Sequence, residues 1–264
     1  MAENKSIFKI KGKLGEFSFF NMTGKNRLKR APGHPRNRIM NDPAFANVRK
    51  NLSEFGGGSS ISKAIRLSWG SMGKQFQDSY MASRLTRDCR KLIIQSSGDW
   101  GRRKGDLRTH GTHLVGFALD EERVFSHYYH GEFQATFTAD RSQCTISNPQ
   151  LRVEDFRKMA KKATHVQFTA GLSLISNHSW SKVAQKYRPL VPEQNAMGNI
   201  QPTEYLPIDQ LPTQLQWVLE TPKNIIPHPE VACLITVGIS YGIARNNQID
   251  SLKKGCAMHI LACV

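Results

Sequence analysis

Long apolar runs are missing from this chain. No stretch of its 264 residues approaches the ~20 apolar residues that a membrane-spanning helix needs. No apolar run follows the basic start, which argues against a secretory signal and leads us to expect a cytoplasmic protein. Cysteine is sparse. Cys89, Cys144, Cys233, Cys256 and Cys263 are odd in number, scattered, and never spaced as C-x-x-C. Neither a zinc knuckle nor a redox pair is written there, and reduced thiols are expected. Internal repeats and heptads are absent too.

Complete catalytic motifs are also lacking. Gly70–Lys74 reads GSMGK, but Gln75 stands where a phosphate loop needs Ser or Thr. The glycines Gly56, Gly57 and Gly58 precede Ser59, Ser60 and Lys63, which suits a helix start better than a nucleotide loop. Cys256 and His259 could form a nucleophile–base pair only by converging, and on a strand residues three apart point to opposite faces. His110, His113, His127 and His130 form two H-x-x-H pairs near Asp120, Glu121 and Glu122. A metal site would need those imidazoles to meet at one ion, and their strand- or turn-like setting argues against it. No enzyme, cofactor or metal is therefore expected.

Acidic residues are scarce in one half only. Residues 1–113 hold 23 Lys and Arg against 8 Asp and Glu, a net of +15, whereas residues 114–264 hold 14 against 13. A uniform solubilising coat would not be so lopsided. Two clusters carry most of the excess: Lys25, Arg27, Lys29, Arg30, Arg36 and Arg38, then Arg102, Arg103, Lys104 and Arg108 beside Trp100. A concentrated positive field attracts polyanions, and aromatic rings among cations suit stacked bases. Most of the N-terminal phenylalanines, among them Phe8, Phe17, Phe19 and Phe20, are expected to seal a small core instead.

What is present fits a globular fold, with 39% hydrophobic and 22% charged residues. Residues 5–20 alternate around Gly12 and Gly15 as a bent strand or short hairpin with an aromatic second arm. In that alternation Ile7, Lys9, Lys11 and Lys13 fall on one side. Residues 21–41, with Gly24, Pro32, Gly33 and Pro35, read as an extended basic arm. Asp42 as cap and Pro43 at the first helical position predict a helix to about Phe55. Phe45, Val48, Leu52 and Phe55 would form its buried stripe, and Gly56–Gly58 its stop. A second short helix to about Leu67 and a third from about Gly73 to Ile94 follow. Beyond the basic loop 96–113 the pattern turns to strands: 114–119, 132–139, 143–147, 165–175, 214–220, 231–244 and 257–263. Residues 177–212 read as loop-rich.

The runs GKLGEFSFF at Gly12–Phe20 and NDPAFANVRKNLSEFG at Asn41–Gly56 resemble the N-terminal motifs of an uncharacterised family of bacterial proteins of similar length. The tail from Ile235 to Val264 is similar to that family's closing strand pair. The resemblance implies architecture and brings no activity, and the segment after Phe20 is more basic here than in the family.

The expected fold is α+β. A basic hairpin or arm with short helices (1–113) precedes a β-rich domain, a sandwich or partly open barrel (114–264). The expected function is a non-enzymatic binding module contacting nucleic acid or another polyanion through the eleven residues named above. The alternative is an assembly subunit of a phage-like or other particle, with the arm on a neighbouring copy.

Overall fold

The structure, a computed structural model, describes residues 2–3, 10–22, 24–30, 34–246 and 248–264, without the side chains of 2, 3, 253 and 254. Ile7, Phe8, Lys9, Pro32 and Gly33, which entered the expectations above, lie outside the described residues. The chain divides into two compact units, residues 1–51 and 52–264.

In the first unit, β1 (Ala2–Glu3), β2 (Gly12–Leu14), β3 (Phe17–Met22) and β4 (Lys25–Arg30) form an antiparallel sheet in the order β1-β4-β3-β2. The expected hairpin is there. The basic arm is not: its first part is a strand. Gly24, at φ +77°, permits the tight turn that pairs Met22 with Lys25. A helix α1 (Arg36–Asn41) follows. Arg49 Nη1 donates to the carbonyls of Ile39 and Asp42, each at 2.8 Å, and so fastens the end of α1 to the next helix. The Asp42 cap is real: its carboxylate accepts from Ala44 N at 3.0 Å above a 3-10 turn, Pro43–Phe45.

That turn leads into α2 (Ala46–Ser68), a single helix of 23 residues. Two expectations fail here. The glycines do not stop the helix, and the stripe is not buried: Val48, Leu52 and Phe55 are 41%, 50% and 51% exposed. The reason lies with α3 (Met81–Gln95). A side chain on Gly58 would press on the backbone of Thr86 and Arg90, and one on Gly57 on Ile93 and Tyr187. Glycine thus lets two helices touch. The face that α2 buries carries Gly57, Gly58, Ile61 and Ile65. The third helix does not start at Gly73 as expected: a 3-10 turn stands at Met72–Gln75, and α3 begins at Met81 and buries Leu85, Cys89 and Leu92. A short α4 (Leu107–His110) follows, and 114–119, where a strand was expected, is the end of a 3-10 turn and a loop with one bridge, Ala118 to His259.

The second unit is built on a long antiparallel sheet. Its strands, with the smaller ones, run β5 (Gln134–Phe137), β6 (Gln143–Asn148), β7 (His165–Ser176), β8 (His178–Ser181), β9 (Lys186–Pro189), β10 (Met197–Pro202), β11 (Leu206–Pro207), β12 (Leu215–Glu220), β13 (Val231–Arg245) and β14 (Gln248–Cys263). The main order is β10-β7-β13-β14, with β11 also on β7; β12-β6-β5 form a second sheet and β8-β9 a hairpin. Residues 177–212 thus hold four short strands where loops were expected.

Strand alternation sorts β13 into two cores. Val231, Cys233, Ile235, Val237, Ile239 and Tyr241 face the three-stranded sheet, meeting Cys144, Ile146, Trp217 and Leu219. Ala232 and Leu234 face the helices, meeting Ile61, Leu85 and Leu92. A bulge in β14 opposite Ile235 and Thr236 reverses its alternation, so Cys263 joins Cys256, Met258 and Ile260 on the helical side. The result is α+β: a sandwich of two antiparallel sheets with a helical layer on its outer face. The boundary expected near residue 113 falls inside the second unit, where the helices before it and the strands after it share one core.

Candidate polyanion-binding face

The first unit is strongly basic: residues 1–51 hold 12 Lys and Arg against 3 Asp and Glu. Its sheet gives that charge a direction. On β4, Lys25, Arg27 and Lys29 occupy alternate positions and therefore share one face. Their partners on β3 are Met22, Phe20 and Ser18, Lys13 pairs with Ser18 from the other side, and Glu3 of β1 stands at the register position opposite Arg27. Four cations and one aromatic ring thus lie on a single face, with one acidic position, Glu3, opposite Arg27. Lys29 Nζ stands 5.5 Å from the centroid of the Phe20 ring, a cation–π contact that holds the ammonium over the sheet. Arg27 Nε is buried, with no hydrogen-bond partner among the described residues.

The opposite face is different. Leu14, Phe17, Phe19 and Leu28 lie there by register, with Leu14 67% and Phe17 48% exposed. They do not seal a core, because no described residue from 10 to 51 is buried. Arg30 shares that side and pairs with Glu16 at 2.9 Å. On α1, Arg36 is exposed, while Arg38 pairs with Asp42 at 3.2 Å and lies 5.8 Å from the Phe45 ring.

The second expected cluster belongs to the other unit, and its central members are engaged. Arg103 Nε and Nη2 grip the two carboxylate oxygens of Glu54 at 2.7 and 2.8 Å, and its Nη1 donates to Ile94 O at 2.7 Å. Gly101 N adds a third hydrogen bond to Glu54 at 2.8 Å. Burial would raise the Glu54 carboxyl, but these donors outweigh it and hold it below the usual carboxylate range. Lys104 Nζ lies 2.7 Å from Glu230 and 3.5 Å from Asp106, and Asn177 Nδ2 donates to both carboxylates. Arg103 and Lys104 therefore spend their charge inside the protein and leave the candidate site. Arg102 is exposed, Trp100 is 42% exposed and Arg108 is half-buried.

Lys13 is the cation that reading the clusters missed. Its signal was the alternation of Lys9, Lys11 and Lys13, and the same period runs through K-N-R-L-K at 25–29. The remaining candidates stay apart. Cys256 faces the helical core, whereas His259 packs on Phe125 at 4.5 Å on the other side. Burial pushes every thiol up, Cys233 to about 11 and Cys144 and Cys263 to about 12, so all five remain protonated. Among the described residues, no three His, Cys, Asp or Glu side chains converge as metal ligands. No helix among them is long and apolar enough to cross a membrane. No family model, curated protein sequence or solved structure matches the chain.

Proposed function

We propose that the chain is a non-enzymatic nucleic-acid-binding protein that holds phosphates on the basic face of its N-terminal sheet. One observation carries this reading: Lys25, Arg27 and Lys29 alternate along β4 and share one face with Lys13 and the Phe20 ring, against the single acidic position Glu3. Phosphate oxygens accept hydrogen bonds from such cations, and Arg and Lys along one sheet face supply affinity without sequence preference. The buried, protonated thiols suit the cytoplasm, which belongs to the same proposal.

Salt dependence tests it. Four contacts to single-stranded phosphates give log K a slope of about −3 against log salt. Changing Lys25, Arg27 and Lys29 together to Ala removes about two units of that slope. Fluorescence anisotropy with a labelled oligonucleotide across a salt series measures both. An unchanged slope in the triple variant, or no salt-sensitive binding by the parent, overturns the reading.

A second reading, an assembly subunit, rests on the opposite face, where Leu14 and Phe17 are half-exposed or more. Apolar association persists in high salt. Light scattering that shows a salt-insensitive oligomer, lost on Phe17→Ser, would favour it.

A further inference from the structure

The second unit carries a pair of adjoining hollows beside the three-stranded sheet. One, of about 340 Å³, is walled by Phe125, Tyr129, Phe133, His259 and Leu261. The other, of about 280 Å³, is polar and is lined by Glu132, Gln134, Gln150, Arg152 and Asp155. His130, Gly131 and Glu132 line both. The intervening segment is firmly held. Asn148, 1% exposed, donates from Nδ2 to Tyr129 Oη at 2.9 Å and to Glu132 O at 3.0 Å. His130 N donates to Asp155 O at 2.9 Å. The hollows are thus built on fixed backbone and need no closing loop.

Their chemistry is two-sided. The first offers rings and an aliphatic side chain. The second offers two carboxylates, Glu132 and Asp155, against one guanidinium, Arg152, whose Nη2 already donates to Gln150 Oε1 at 2.5 Å. In the wall of the first, His259 Nδ1 is buried without a hydrogen-bond partner among the described residues. Burial pushes His259 down to about 4, so its imidazole is neutral at pH 7 and does not repel a cation.

We propose that these hollows form one binding site for a small amphipathic amine, with its apolar or aromatic body among Phe125, Phe133 and Leu261 and its ammonium between Glu132 and Asp155. A polyanion does not fit, because the carboxylates repel phosphate. The site is therefore separate in chemistry from the basic sheet, and it stands or falls independently of the nucleic-acid reading.

Three probes of one shape test it: 2-phenylethylamine, 2-phenylethanol and phenylacetate, titrated calorimetrically into the full chain at pH 7. The amine should bind, the alcohol about tenfold more weakly, and the acid not at all. Glu132→Gln with Asp155→Asn keeps shape and removes both charges, and it should reduce the preference for amine over alcohol about tenfold. These two side chains are exposed or half-buried, so the variant should fold; an unchanged circular dichroism spectrum checks this. No heat with the amine, equal binding of amine and alcohol, or a preference that survives in the double variant would overturn the proposal. Failure of oligonucleotide binding would leave it untouched.

Discussion

Arg103 clasps Glu54 with two nitrogens, at 2.7 and 2.8 Å, and the carboxylate it holds is wholly buried within α2. The pair ties the loop after α3 to the long helix. Gly101 N and Arg103 together leave Glu54 well satisfied, which offsets the cost of burying its charge. Removing one partner strands the other. Arg103→Ala should cost about 3–5 kcal/mol in urea denaturation, while Arg102→Ala, one residue away and exposed, should stay within about 0.5 kcal/mol. The same contrast separates scaffold from binding surface: neither variant should change the salt slope of oligonucleotide binding by more than about one unit.

Three successive glycines give opposite expectations within one helix. An added methyl at Gly56 meets nothing within 4 Å, so Gly56→Ala should stabilise by about 1 kcal/mol through helix propensity alone. At Gly58 the same methyl would lie 2.9 Å from Arg90 N and 3.0 Å from Thr86 O. Backbone cannot move aside as a side chain can. Gly58→Ala should therefore lose about 1–3 kcal/mol, despite the same gain in propensity. Thermal melts of the two variants side by side decide it. Equal shifts would mean that α2 and α3 do not touch at this point.

How much of this was legible follows from which residues report on themselves. Strands β6, β7, β12 and β13 were readable because alternation and β-branched content are local properties. Asp42–Pro43 was readable because a cap acts on its own next turn. The glycine triplet was not, since glycine ends a helix or admits a neighbour depending on what packs there, and α3 lies thirty residues on. Arg103 and Lys104 looked identical in sequence to Lys25 and Lys29. Only the fold shows that Glu54 and Glu230, 49 and 126 residues distant, claim them. The basic strand Lys25–Arg30 reads in sequence as part of an extended arm because it has almost no apolar residue to announce its period.

The exposed stripe yields its own measurement. Leu52 is 50% exposed and Ile61, on the packed face of the same helix, is fully buried. Ile61→Ala should cost about 2–5 kcal/mol through lost burial and the cavity left behind, whereas Leu52→Ala should cost less than about 1 kcal/mol. Chemical denaturation at low protein concentration provides both numbers. A large loss at Leu52 would show that a partner covers the stripe in solution.

The last expectation concerns pH. His178 is 1% exposed in the strand that follows β7, its Nδ1 2.9 Å from Ser176 O, and its backbone pairs with Gly105 in both directions. Burial pushes the imidazole down to about 4, and the Ser176 carbonyl recovers only part of the shift. In the unfolded chain the same group titrates near 6.5. Between those two values the unfolded chain binds more protons than the folded one, so stability rises with pH across the window. Above about pH 6.5 the full contribution is present, and as pH falls toward 4 it is lost. A shift of this size corresponds to about 3 kcal/mol. His259, also pushed down to about 4 by burial, adds to the slope in the same window. The carboxylates Glu54, Asp78, Asp106 and Glu230 are held low by their donors and act only below the ordinary carboxylate range. Urea denaturation from pH 7 to pH 4.5 should therefore show a steady loss. His178→Gln should remove about half of that slope, whatever it does to stability at pH 7. An undiminished slope would mean that His178 takes up its proton in the folded state near its ordinary pKa, and that the strand ends at Gly105 and His178 open to water.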